Sequence, residues 1–455
     1  MFITRFAPSP TGYIHLGNAR IAVINWLFAK KAHGKFMLRL DDTDTERSKQ
    51  EYIDCLYEDL EWLGLHYDIF ARQSDRVERY KECQQKLIDL GRLYACYETP
   101  EELDLNRKMQ QAKKEPPIYN RAALKATNKQ IDMWKAEGRR PHWRFRLNDA
   151  EVKFHDLLKG VLLFYPSQNL SDPVVIKEDG TFLYTMSSVI DDLDFGITHI
   201  IRGEDHVTNT AIQIQLLEAL NNSQHVNITF AHLALLFDQS GQPLSKRLGS
   251  FCLKNLRHDG IEPMALNCFL ASLGSSSQLC ITQDMLKLVQ HFDLDKIRGG
   301  ARIEDKTLYS IQRKILHTMS FNCLSRRNIT TTVTQQEWEV IREGLDKVSD
   351  VTYWIDVLHG EIVQPEFSCE DAAFLRLAAN WLINQELNEN TWDLFVVYLK
   401  NTTHRSGYNL VHPLRLAITG RDNGPEMKRL LPLIDKQLIL HRLMIHQTNS
   451  FNTKV

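Results

Sequence analysis

One stretch constrains the fold more than any other: Thr4-Arg-Phe-Ala-Pro-Ser-Pro-Thr-Gly-Tyr-Ile-His-Leu-Gly-Asn18, running on into Ala19-Arg20-Ile-Ala-Val-Ile-Asn-Trp-Leu-Phe28. Its apolar-rich start predicts a strand. Pro8, Pro10 and Gly12 predict a loop, and the patterned segment after His15 and Gly17 predicts a helix. Strand, turn and helix in that order make a nucleotide-binding geometry. Free backbone N–H groups at the helix start favour phosphate, and Gly17 is expected to let a ligand approach the main chain closely. Neither G-x-x-x-x-G-K-S/T nor G-x-G-x-x-G occurs, so a nucleotide here is bound by a route other than the P-loop or dinucleotide fingerprints.

His15-Leu-Gly-Asn18 resembles the HIGH signature of class I aminoacyl-tRNA synthetases, with Asn18 in place of the final His. The whole of Arg5 to Arg20 is similar to the opening of glutamyl-tRNA synthetases. The resemblance implies that His15 stabilises charge on the α-phosphate of ATP while an amino-acid carboxylate attacks and pyrophosphate leaves. Such catalysis is positioning and electrostatics, without a covalent enzyme intermediate.

A chain of 455 residues is too long for one core and suggests three or four domains. Its net charge of −2 excludes a uniformly basic nucleic-acid coat but allows a local basic face. Eight cysteines without paired spacing are a reduced, cytosolic pattern. The active-site loop follows the first residues at once and no run of 18 apolar residues exists, so neither a leader nor a membrane span is expected and the location expected is cytoplasmic.

Lys35-Phe-Met-Leu-Arg-Leu40 predicts a second strand that delivers Asp41-Asp-Thr-Asp44 at its carboxyl end, where open parallel sheets bind ligands. The acidic run reads equally as the N-cap, at Asp44 or Thr45, of a Glu-rich helix. The resemblance sets Asp41, shorter than the usual Glu, at the position that holds the substrate ammonium. Residues 46–95 predict two or three helices. Cys96-Tyr-Glu98 stands where some glutamyl enzymes carry Cys-x-Cys of a zinc site. With one cysteine and no near partner, no structural zinc is expected. Residues 99–149 are charged and helical, and Arg139-Arg-Pro-His-Trp-Arg-Phe-Arg146 reads either as an RNA-contacting face or as an amphipathic strand with Trp143 and Phe145 buried and the arginines solvated.

Pro173 to Lys177 and Gly180 to Ser188 predict a hairpin turning at Glu178-Asp179-Gly180. A buried strand at Ile197 to Ile201 leads to Arg202-Gly-Glu-Asp-His206, followed by a helix through Ala211 to Leu220. The resemblance assigns Tyr184 and Arg202, with Arg5, to the glutamate substrate, and makes Ser188 and His206 wall residues. A fixed arginine fork selects a carboxylate over an amide. Phe230 to Phe237 predicts a further strand before Ser245-Lys246-Arg247, which resembles the second class I signature, KMSKS, with Pro243 replacing its first Lys. Lys246 is the lysine that grips the ATP phosphates. Residues 252–312 read as helical, and 313–455 almost wholly so, which the resemblance equates with a helical anticodon-binding domain. Arg405, Arg415 and Arg421 read as solvated helix-end groups or as anticodon contacts, and His441 and His446 do not share a helical face well enough for a metal pair.

The fold expected is therefore α/β: a Rossmann-like parallel-sheet domain from 1–80 and 190–237, an α+β acceptor-end insertion at 81–189, a signature loop and stem-contact helices at 238–312, and an all-helical remainder at 313–455. The resemblance implies an enzyme that activates L-glutamate with ATP and Mg2+ and passes it to tRNA(Glu), with tRNA(Gln) left open as a second acceptor, and that works as a monomer. Its ATP set is Pro8, Ser9, Thr11, Gly12, His15, Gly17, Asn18, Ser245, Lys246 and Arg247. Its glutamate set is Arg5, Ala7, Ser9, Asp41, Tyr184, Ser188 and Arg202, and His15 and Lys246 are its catalytic residues. Two rivals are a truncated relative that glutamylates a modified tRNA base, opposed by the long helical tail, and a catalytically silent RNA-binding paralogue, for which Asn18, Asp41 and Pro243 are the only support.

Overall fold

The computed structural model describes residues 1–222, 227–238, 241, 252–325 and 333–445. The chain forms two compact units, residues 1–259 with 266–304, and residues 260–265 with 305–455.

The first unit is built on a seven-stranded sheet. In chain order its strands are β1 (Ile3–Phe6), β2 (Lys35–Leu40), β3 (Ile69–Arg72), β6 (Val152–Asp156), β7 (Gly160–Phe164), β9 (His199–Gly203) and β10 (Thr229–Leu233). Their spatial order is β3-β2-β1-β9-β10-β6-β7, parallel except for the β6–β7 hairpin. β1 and β2 are almost wholly buried, Thr4, Arg5 and Arg39 included, because helices cover both faces of such a sheet. The strand order runs outward in both directions from β1 and β9, and the crevice beyond their carboxyl ends is the switch point where doubly wound sheets take ligands.

A separate three-stranded antiparallel sheet joins β4 (Leu93–Cys96), β5 (His142–Phe145) and β8 (Val174–Ile176). The expected insertion at 81–189 does not coincide with this sheet, because 152–164 hydrogen-bond into the large one. Other expectations also give way. Residues 46–95 contain β3 and β4 as well as the helices Gln50–Leu63 and Val77–Asp89. No helix is capped by Asp44 or Thr45: Asp44 pairs with Arg47, while Asp42 accepts from the Ser74 backbone and binds Arg72. The hairpin expected after Gly180 reduces to a single bridge at Phe182, and Tyr184–Asp194 is a helix. Met186, Val189 and Ile190 recur at helical spacing and seat it on a core with Phe145, Ile176 and Leu216. The apolar run 230–237 is broken after Leu233. On β5, Phe145 is buried and Trp143 half-buried as an amphipathic strand requires, but Arg144 is buried too, under Tyr119 and donating to the Asp172 carbonyl.

Among the described residues of 305–445 there are helices and no strands. Trp338, Trp354, Phe395 and the aliphatic faces of the surrounding helices form one core. Arg442 is buried within it and donates to the carbonyls of Asp356, Val357, Gly360 and Ile418 at two helix ends; Asp356 also accepts from the Gly360 N–H. Arg405 pairs with Glu370 and Asp371, and Arg421 lies 3.8 Å over Tyr353, so neither is a simply solvated helix end. Of the two histidines weighed as a metal pair, His446 lies outside the described residues. No helix among those described is long and apolar enough to cross a membrane.

Candidate active site

The carboxyl ends of β1 and β9 open into a cavity of about 650 Å³. The loop after β1 and the head of the Leu16–Lys31 helix line one side with Ala7, Pro8, Ser9, Thr11, His15, Gly17 and Asn18. Tyr184, Arg202, Asp205 and His206 line the other, and Arg5 reaches in from β1. Segments from both halves of the large sheet therefore meet at one opening. Of the residues expected at the site, Gly12, Asp41 and Ser188 are not on its wall. The Ser188 hydroxyl accepts from Gln213. Ser245, Lys246 and Arg247 lie outside the described residues.

His15 caps the helix that follows it. Its Nδ1 accepts from the backbone N–H groups of Gly17 at 3.0 Å and Asn18 at 3.4 Å, which places the ring proton on Nε2. Burial lowers its pKa, so the neutral ring is favoured. The expectation of free amides for phosphate is corrected here, because His15 occupies two of them. Gly17 has a similar explanation: a Cβ there would stand 2.8 Å from His15 Cε1 and 3.0 Å from Nδ1. The missing side chain makes room for the imidazole rather than for a ligand alone.

Arg202 is buried at the end of β9. Its Nε donates to His232 Nε2 at 3.2 Å, Nη1 to the Tyr184 hydroxyl at 3.0 Å, and Nη2 to the Thr210 hydroxyl at 2.7 Å and the His206 carbonyl at 3.5 Å. Every one of these acceptors is neutral, and no carboxylate among the described residues pairs with it. Burial lowers the Arg202 pKa, and Arg5 adds to the effect. A buried cation without an anion is costly, by several kcal/mol in typical interiors, and an anionic ligand in the cavity would offset that cost.

Arg5 differs. Its Nε donates to Asp192 at 3.1 Å, and Asp192 also accepts from Arg39 at 2.8 Å. Burial opposes ionisation of Asp192, but these two guanidinium groups hold its carboxyl below the usual carboxylate range. Arg39 further grips Asp41 with two bonds of 2.7 and 3.1 Å. Burial pushes the Asp41 carboxyl up to about 6 against the pull of Arg39. Both Asp41 oxygens are thus engaged by the protein itself. Arg39 sits on the strand that the sequence reading treated only as a carrier of Asp41.

Arg20 is a cavity-lining residue that the sequence reading did not select. It donates to the carbonyls of Ala234 and Leu273, its Nε has no partner among the described residues, and burial brings its pKa down to about 10 while Glu204 opposes the shift. An arginine on the buried face of an otherwise apolar helix was the available signal.

Away from the cavity, Cys96, Glu98 and His142 bring one donor atom each within 4.8 Å of the others. Cys96 therefore has near partners, because β4 and β5 set His142 directly opposite it. The group suits zinc poorly all the same. Structural zinc takes four donors, chiefly N and S. Here Glu98 already accepts from the Tyr119 hydroxyl at 2.5 Å, and Arg144 lies 4.3 Å over that ring. Burial and then Arg144 lower the His142 pKa, and burial pushes the Cys96 thiol up to about 12. Glu98 Oε2 and His142 Nε2 have no partner among the described residues; a bridging water needs two to four such groups.

Residues 1–308 match the family described as tRNA synthetases class I (E and Q), catalytic domain. The chain belongs to the class I tRNA synthetases of that family. It is 46% identical over 449 residues to "Glutamate--tRNA ligase 2" of Beijerinckia indica, covering 98% of this chain and 99% of that one. It is 44% identical over 446 residues to "Glutamate--tRNA ligase 1" of Rickettsia akari, covering 97% and 98%. Among solved structures it is similar to glutamate-tRNA synthetase from Elizabethkingia anophelis, with a TM-score of 0.79 at 25% identity over 98% of this chain and 99% of that one. As a class I synthetase the protein is an aminoacyl-tRNA ligase. Its cavity at the sheet's switch point carries His15, Gly17 and Asn18 of the first signature on its wall.

Proposed function

We propose that the protein is a glutamate–tRNA ligase that forms glutamyl adenylate from L-glutamate and ATP and transfers the glutamyl group to the terminal ribose of tRNA(Glu). Arg202 is the observation that carries this reading: a buried guanidinium at the cavity with only neutral partners, beside the Tyr184 hydroxyl. A glutamate side-chain carboxylate supplies the missing charge, and a glutamine amide does not. Sites whose buried polar groups are left unpaired by the wrong substrate discriminate by about 10⁴ or more.

In the first step the α-carboxylate oxygen attacks the α-phosphorus, a P–O bond forms, and pyrophosphate leaves with the electrons of the broken bond. His15 donates from Nε2 to the α-phosphate oxygens, its position set by the Gly17 and Asn18 amides. Pro8, Ser9, Thr11 and Asn18 bound the nucleotide, Ser245 and Arg247 bind ATP with them, and Lys246 neutralises charge on the departing pyrophosphate. Arg5 and Ala7 face the amino acid, and Asp41 orders that end through Arg39 and Asp192. Mg2+ coordinates the ATP phosphates. The enzyme works as a cytosolic monomer without a structural zinc. ATP–pyrophosphate exchange tests the reading, run with and without tRNA, on glutamate and on glutamine, for the wild type and Arg202→Ala. Exchange with glutamate alone, lost in Arg202→Ala, is expected. Equal exchange with glutamine, or none with glutamate under either condition, overturns it.

A further inference from the structure

Behind Arg202 runs a row of side chains across three neighbouring strands. β10 lies between β9 and β6, with His232 directly opposite Arg202 and Phe230 opposite Asp156. His232 Nδ1 is 2.6 Å from Asp156 Oδ2, and both side chains are fully buried. Asp156 Oδ1 meanwhile accepts from the backbone of Leu158 and Lys159, which close the β6–β7 turn.

An ionised carboxylate only accepts, so the imidazole proton sits on Nδ1 and Nε2 is left bare. That bare nitrogen accepts from Arg202 Nε. The other tautomer would set an N–H of His232 against an N–H of Arg202, two donors face to face in a buried site. Thr210 closes the arrangement, with its hydroxyl 3.0 Å from His232 Nε2 and accepting from Arg202 Nη2. The remaining charged neighbours, Lys159 and Glu204, pair with each other at 2.6 Å.

We propose that Asp156 and His232 are positioning residues for amino-acid selection: their hydrogen-bonded pair fixes the imidazole tautomer that anchors Arg202 through Nε and turns its Nη edge to the cavity. The inference rests on the reading of Arg202 as the partner of the substrate's side-chain carboxylate. A guanidinium has five N–H donors. With Nε committed to His232 and one Nη1 hydrogen to Tyr184, the second Nη1 hydrogen has no partner among the described residues. The 3.5 Å contact of Nη2 to the His206 carbonyl is the weakest of the set and yields first to an incoming carboxylate. Neither Asp156 nor His232 touches the substrate.

Three substitutions separate this role from simple packing. Asp156→Asn keeps the shape and the oxygen that the turn needs but presents an amide N–H to His232 Nδ1, inverting the tautomer. His232→Asn keeps a donor toward Asp156 and loses the acceptor at Arg202. His232→Gln extends an amide oxygen to the Nε2 position and restores that acceptor. In ATP–pyrophosphate exchange with tRNA present, Asp156→Asn and His232→Asn are expected to raise the KM for glutamate about tenfold or more. The KM for ATP and kcat should stay within about threefold, and His232→Gln should recover most of the loss. Unchanged glutamate KM in Asp156→Asn and His232→Asn overturns the proposal. So does a parallel fall in every parameter and in thermal stability, with His232→Gln no better than His232→Asn, which marks a purely structural pair. Arg202→Ala run alongside tells the two readings apart: if it too leaves the glutamate KM unchanged, the assignment of Arg202 has failed and takes the pair with it.

Discussion

Replacing Gly17 by Ala should separate the stability of the first helix from the chemistry at its head. A Cβ at residue 17 lies 2.8 Å from His15 Cε1, closer than side chains pack, so the imidazole must rotate away. Rotation breaks its bonds from the Gly17 and Asn18 amides, and loss of an N-cap costs about 1 kcal/mol. Ala in place of Gly near the helix start returns about 0.5–1 kcal/mol. The two nearly cancel, so the thermal unfolding midpoint should move by no more than about 2–4 °C. Catalysis has no such compensation, because the donor aimed at the α-phosphate is displaced. A fall in kcat of about 10–100-fold is expected, equivalent to roughly 1.4–2.7 kcal/mol of transition-state stabilisation, with the KM for glutamate nearly unchanged. Steady-state exchange together with a thermal melt measures both quantities. An unchanged kcat would refute the argument that Gly17 exists to seat His15, and a collapse of the melt would show that the ring could not move aside.

Three further outcomes follow from other parts of the molecule. Arg442→Met leaves the Val357, Gly360 and Ile418 carbonyls without the guanidinium, while Asp356 keeps the Gly360 N–H, and should destabilise the helical unit by about 2 kcal/mol or more, read from urea unfolding of the full chain; a change below about 1 kcal/mol would show those carbonyls rehydrate freely. Burial lowers the folded pKa of His15 below its ordinary 6.5, so its contribution is fully present above pH 6.5 and is lost as pH falls toward the folded value. The stability difference between wild type and His15→Asn should therefore shift against the wild type as the pH falls below about 6.5, and a pH-independent difference would remove the argument. Prolonged EDTA should leave the unfolding midpoint where it was, since Arg144 and Tyr119 stand against the Cys96, Glu98 and His142 group; a drop of several degrees, reversed by zinc, would mean that those three side chains do hold metal.

Much of the architecture could be read from local pattern. β2 spans the predicted Lys35–Leu40, the Leu16–Lys31 helix follows its loop, and the carboxyl-terminal unit has helices and no strand among its described residues. The helices answer to a period of 3.6 residues and β2 to a short apolar-rich run buried on both faces, patterns that a chain carries in itself. Errors arose where a short segment suits either element. Gly180 to Ser188 has strand-like composition, yet Tyr184 begins a helix because Met186, Val189 and Ile190 find a core there. Those contacts come from residues far away in sequence, and no local window contains them.

By itself, then, the sequence determined the alternation of strands and helices, the all-helical second unit, the family signature at His15 to Asn18 and the identity of the charged side chains available for a site. Only the tertiary structure decided how those charges are distributed. Asp41 and Arg5 are drawn into pairs with Arg39 and Asp192, Arg144 is buried, and Arg202 is left at the cavity with neutral partners. The physical reason is that a charge's energy depends on what lies within a few ångströms of it and on how much water is excluded. Both are set by strands that meet in space after long separations along the chain.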